Sequence, residues 1–90
     1  MHDGGDEPFS PVLEGKIRKA VDAIENELRS ALRKHPTGFH SAHEGLGVVE
    51  EEWDEFKDEV RANNRPAQLI EMTQVGAMAA RYLVDLGGPN

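Results

Sequence analysis

The 90-residue chain is predicted to be all-α, an antiparallel helical bundle of three main helices completed by dimerisation. Three observations point there. Apolar residues recur at steps of three and four in three separate stretches, turn-forming residues part those stretches, and no stretch alternates as a strand does. A domain this short buries a smaller share of its surface than a longer one, so its core is expected to be thin and a second copy to help close it.

Residues 1–9 are polar and rich in Gly and Asp and are expected to form a flexible lead-in to a single helical domain over 10–86, with 87–90 a flexible tail. Ser10 followed by Pro11 opens the first helix, since the hydroxyl caps free N–H groups and Pro lacks one where none is needed. Leu13, Ile17, Val21, Ile24, Leu28 and Leu32 then form one stripe reaching about Lys34. Pro36 and Gly38 break the pattern and make a connecting loop that contains Phe39, a plug over the core or a base-stacking residue.

Ser41 and Glu44 have capping-box spacing and start a second helix that runs to about Ala62. At about 100° per residue, Leu46, Val49, Trp53, Phe56 and Val60 share one arc, expected to be core or interface. Glu44, Glu51, Glu52, Glu55, Asp58 and Glu59 fall on roughly the opposite one. Asn63-Asn64-Arg65-Pro66 makes a turn, with Pro66 as first residue of a third helix whose stripe is Met72, Val75, Met78, Ala79, Tyr82, Leu83 and Leu86. Small residues from Gly76 to Ala80 allow another helix close.

Charge limits the partners. Ten Lys and Arg against 17 Asp and Glu leave a net charge of -7 with no basic cluster, which repels a nucleic-acid backbone. No apolar run is long enough to span a membrane, and no apolar leader follows Met1. Without cysteine there is neither disulfide nor thiolate metal site, so a reducing, cytoplasmic location is expected.

The chemistry-bearing feature is E-E-x-x-E at Glu51, Glu52 and Glu55. A Glu-rich helix face is ordinarily a solvated one. Here seven carboxylates between residues 50 and 59 are balanced only by Lys57, so the i,i+4 ion pairs of a merely soluble helix are missing. Clustered carboxylates that repel one another gain most when a hard cation such as Mg²⁺ or Mn²⁺ arrives. If the second and third helices pack antiparallel, Glu71 lies near Glu55 and Glu59 and completes the set from a second helix. His40, His43 and Glu44 have the residue types of a transition-metal site, but no third histidine is near in sequence.

The segment Ser41–Val49, the E-E-x-x-E motif and the run from Glu71 to Arg81 together resemble the MazG-like members of the all-alpha nucleotide pyrophosphohydrolase superfamily, over residues 41–86. That resemblance implies hydrolysis of nucleoside triphosphates to monophosphates and pyrophosphate. It implies Glu51, Glu52, Glu55 and Glu71 as Mg²⁺ ligands (Mn²⁺ also suits them), with Glu52 or Glu55 as base. Gln74 stands where the superfamily pattern has Asp, and its amide oxygen is a weaker, neutral ligand. His43, Lys57, Gln74 and Arg81 are the implied substrate contacts, with Arg61 and Arg65 as further phosphate candidates. The rival expectation is a non-catalytic interaction module whose acidic face meets a basic partner or keeps the protein soluble.

Overall fold

The computed structural model describes residues 9–88, and there it holds three helices and no strand. The expected lead-in at residues 1–8 and the last two tail residues lie outside that range. The helices are α1 (Pro11–Lys34), α2 (Ala42–Arg61) and α3 (Arg65–Leu86). Each start is fixed by a side-chain cap. Ser10 Oγ accepts from Leu13 N–H at 3.2 Å, Ser41 Oγ from Glu44 N–H at 3.1 Å, and Asn64 Oδ1 from Ala67 N–H at 3.1 Å. Two details differ from expectation. Glu44 reaches back to His40 N–H, at 2.5 Å, so the capping box closes one residue earlier than the usual reciprocal bond. Because Asn64 is the cap, α3 begins at Arg65 and Pro66 is its second residue.

α3 lies between the other two helices and packs on both, while α1 and α2 do not pack on each other. The register follows from individual contacts. Against α2, Gly45 meets Tyr82, and Gln68 Nε2 donates to the Glu59 carbonyl at 3.2 Å, so α2 and α3 run antiparallel. Against α1, Gly76 meets Ile24, and Arg81 meets the carbonyls of Ala31 and His35, so α1 and α3 point the same way. Two glycines set the closeness. A Cβ on Gly45 would stand 2.6 Å from the Tyr82 ring, and one on Gly76 would stand 2.9 Å from Ile24 Cδ1. The second contact gives the small-residue stretch of α3 its expected role.

The core is thin. Among the described residues only Gly45, Ala77, Met78 and Arg81 are buried, and α1 has no buried residue. Ile24, Leu28 and Leu32 are half-buried against α3, whereas Leu13, Ile17 and Val21, further from the loop, are exposed. On α3, Met78 is buried and Val75, Tyr82 and Leu86 half-buried, but Met72, Ala79 and Leu83 are exposed.

The apolar arc of α2, expected to be core or interface, is not core: Val49 and Phe56 are half-buried and the others exposed. Trp53 is exposed to 44%, and its ring rests against Phe56 with centroids 5.4 Å apart. The side turned to α3 carries Gly45, Glu52 and Glu59 instead, roughly a quarter-turn around the helix from the apolar arc. Gly45 lets the Tyr82 ring come close to α2, and the facing side of α3 offers polar partners in Gln68 and Gln74.

Candidate metal centre and the groove beside it

The antiparallel seam of α2 and α3 brings three carboxylates together. Glu52, Glu55 and Glu71 each offer an oxygen, and those oxygens lie within 4.8 Å of one another. Glu52 and Glu55 occupy successive turns of α2, and Glu71 comes from the early part of α3, which the register places opposite Glu55. Glu51 is exposed at the outer edge, and its charge is felt at Glu52 without its oxygens joining the three.

The electrostatics follow from this crowding. Burial, then hydrogen bonding and charge from Glu55, then the charges of Glu71 and Glu51, push Glu52 up to about 7. Burial first, then Glu55, then Glu59, also raise Glu71. Glu71 Oε1 is buried without any hydrogen-bond partner, an arrangement that costs free energy unless a proton or a cation meets it. With its amide nitrogen turned toward Glu52, Gln74 donates to Oε2 at 2.9 Å and Oε1 at 3.3 Å, whereas the opposite orientation sets oxygen against carboxylate. Gln74 therefore relieves Glu52 where an Asp would add to the repulsion.

The remaining expected site residues lie elsewhere. Lys57 pairs with Asp54 at 3.1 Å and stands roughly 140° around α2 from Glu52. Arg61 pairs with Asp58 at 3.2 Å, and Arg65 is exposed at the first turn of α3. His43 is exposed beside Leu46, Val49 and Tyr82, on the apolar side of α2. Arg81, an expected phosphate contact, forms a structural clamp and also lines the groove that reaches Glu52. It is only 4% exposed, and its guanidinium donates to Asp85 Oδ2 (3.2 Å), to the carbonyls of Ala31 (3.3 Å) and Thr37 (2.9 Å), and to that of His35. The Phe39 ring covers it at 5.5 Å. Four of the five guanidinium N–H donors are so engaged, which leaves one on Nη1. Asp85 Oδ2 also accepts Phe39 N–H at 2.9 Å, which fastens the α1–α2 loop to the end of α3. Phe39 thus serves as a plug, its ring 3.2 Å from where a Cβ on Gly45 would stand.

Because α1 and α2 stand apart on α3, a groove of about 380 Å³ opens between them, closed at one end by the loop and reaching Glu52 at the other. Glu27 and Lys34 of α1, Val48 of α2 and Met78 of α3 line it. Sequence reasoning passed over Glu27 and Lys34. Glu27 follows Ile24 by three residues and so borders the α1 stripe, a signal that marks the position as inward-facing without saying what it faces. Among the described residues no helix is long and apolar enough to cross a membrane. No family model matches the chain, and the comparisons with curated proteins and solved structures find nothing similar to it.

Proposed function

We propose that the chain is a Mg²⁺- or Mn²⁺-dependent nucleoside triphosphate pyrophosphohydrolase of the MazG-like kind, working as a cytoplasmic homodimer. The observation that carries this reading is the convergence of Glu52, Glu55 and Glu71 from two helices within 4.8 Å. The residues fit a hard cation: all three donors are carboxylates, and the orphaned Glu71 Oε1 is an oxygen in need of a positive partner. Glu55 and Glu71 would hold the ion, with Glu52 at the shared edge and the Glu51 charge behind it. When bound, the cation neutralises the polyphosphate and makes its phosphorus more electrophilic.

The chain's own contribution is acid–base and positional. Glu52, held near 7, is suited to accept a proton from a water molecule at neutral pH, with Glu55 the alternative base. The groove next to Glu52 gives the remainder of a nucleotide room beside the carboxylates. Exposed Leu46, Trp53 and Val60 on α2, with Leu13, Ile17 and Val21 on α1, supply the apolar surface for a second copy.

A second reading, a non-catalytic module with an acidic face, is favoured by Gln74, which satisfies Glu52 without a cation. Thermal unfolding with and without millimolar Mg²⁺ or Mn²⁺, followed by pyrophosphate release from a panel of nucleoside triphosphates, separates the two. The enzyme reading expects a raised midpoint and product. An unmoved midpoint and no product would leave the interaction module.

A further inference from the structure

The groove between α1 and α2 has a register that the contacts on α3 fix. Glu52 stands level with Gln74. Val48 and Glu27 lie farther along, each by about one helical turn, roughly 5–6 Å, toward the closed end. Both line the groove with Met78, one turn past Gln74 on α3. Lys34, also in the lining, lies about two further turns along α1, beside the loop. From the carboxylate trio inward the groove therefore presents Glu27 with two apolar neighbours, then Arg81, Phe39, Glu44 and Lys34 toward the closed end. Glu27 is half-buried, and neither it nor Lys34 has an ion-pair partner among the described residues.

We infer that this groove holds the nucleoside half of the substrate, with Glu27 accepting hydrogen bonds from the sugar hydroxyls, so that ribonucleoside triphosphates are the favoured class. The inference rests on the proposed seating of the phosphates at Glu52, Glu55 and Glu71. A phosphate chain held there puts the sugar one step further in, at the level of Glu27, Val48 and Met78. An ionised carboxylate is acceptor only, so it repels phosphate and base carbonyl oxygens and favours hydroxyl donors. Its two oxygens match the two hydroxyls of a ribose, as an acidic residue does on the ribose of dinucleotides in doubly wound folds. Apart from the 5′ oxygen, which carries the phosphates, a 2′-deoxyribose offers one hydroxyl and a 2′,3′-dideoxyribose none. Val48 and Met78 supply apolar contact on either side, and Lys34 is left for the base end.

The test separates this inference from the catalytic one because it reads binding without metal or turnover. Adenosine, 2′-deoxyadenosine and 2′,3′-dideoxyadenosine are titrated into the whole protein while the methyl resonances of Val48 and Met78 are followed, for the wild type and for Glu27→Gln and Glu27→Ala. The expected result is a shift of the methyls of both residues with affinity falling in that order, by about tenfold at each step, since one hydrogen bond to a charged group is worth about that much. In both variants the three nucleosides should bind alike, with helical content by circular dichroism unchanged. Unmoved methyls, equal affinities in the wild type, or a sugar preference that survives in Glu27→Ala would each overturn the inference. Sugar discrimination without pyrophosphate release from the triphosphates would sink the proposed activity and leave the groove assignment standing. Release with no preference between ribose and dideoxyribose would do the reverse.

Discussion

At Glu71 one oxygen is buried with no partner while Glu55 and Glu59 press on it electrostatically. Replacing Glu71 by Gln keeps the shape and removes the charge. In metal-free protein Glu71→Gln should gain on the order of 1 kcal/mol, a rise of about 4–8 °C in the unfolding midpoint for a domain of this size. The same variant should lose the midpoint rise that Mg²⁺ gives the wild type. A variant that is less stable without metal, or that still responds fully to Mg²⁺, would remove Glu71 from the site. Gln74 makes the opposite case. Its amide donates to both oxygens of Glu52, so Gln74→Asp should cost about 1–3 kcal/mol in metal-free protein and tighten Mg²⁺ binding, measured by calorimetry. Weakened binding in that variant would mean that Gln74 belongs to the cation site as it stands.

Between elements, the α2–α3 seam is where acidity and packing meet, and this gives it a pH dependence of known sign. Glu52 is raised from 4.5 to about 7, so between those values the folded chain holds a proton that the unfolded chain has lost. That contribution to stability is fully present below about 4.5 and disappears as pH climbs through about 7. Metal-free thermal midpoints should therefore fall between about pH 5 and 8, with millimolar Mg²⁺ flattening the decline; midpoints that rise over this range would contradict the crowding of the carboxylates. The same seam explains what the sequence did and did not reveal. Helix positions and the first two caps were legible because Ser10 and Ser41 act locally, on N–H groups three residues away, whereas Asn64 was read as part of a turn and caps α3 one residue earlier than expected. Which side of α2 packs was not, because periodicity finds the apolar arc of Leu46, Trp53 and Val60 but cannot register that Gly45 is where Tyr82 comes close. The Arg81 clamp was equally hidden, since its carbonyl partners at Ala31, His35 and Thr37 are more than 40 positions away in the chain. Glycine substitutions test this packing. Gly15, with nothing within 4 Å of an added Cβ, should gain about 0.5–1 kcal/mol as Ala from helix propensity. Gly45→Ala should instead lose about 1–3 kcal/mol through its clash with Tyr82. Denaturant midpoints that move the same way for both would show that α2 and α3 do not approach as closely as described.

At the scale of the whole molecule, the proposed dimer would account for the thin burial of the single chain. Three helices of 20 to 24 residues leave Ala77 and Met78 as the buried hydrophobic side chains, while large apolar groups on all three stand in solvent. A single copy this poorly closed has little apolar burial to set against the entropy of ordering its chain. Pairing through α2 would cover Leu46, Trp53 and Val60 without touching the seam, a quarter-turn or more away, where Glu52 and Glu55 of α2 meet Glu71 of α3. The chain carries one tryptophan, and it sits on that surface, so its emission reports pairing directly. Sedimentation should give twice the chain mass at micromolar concentration, with blue-shifted Trp53 emission that moves red on dilution. Leu46→Glu combined with Val60→Glu should place charge on both sides of Trp53, shift the protein to monomer, lower its midpoint and redden the emission, while leaving the cation response per chain in place. Wild-type protein at monomer mass, with solvated tryptophan emission at every concentration, would refute the dimer. A dimer unchanged by the two acidic substitutions would move the contact to the α1 face at Leu13, Ile17 and Val21.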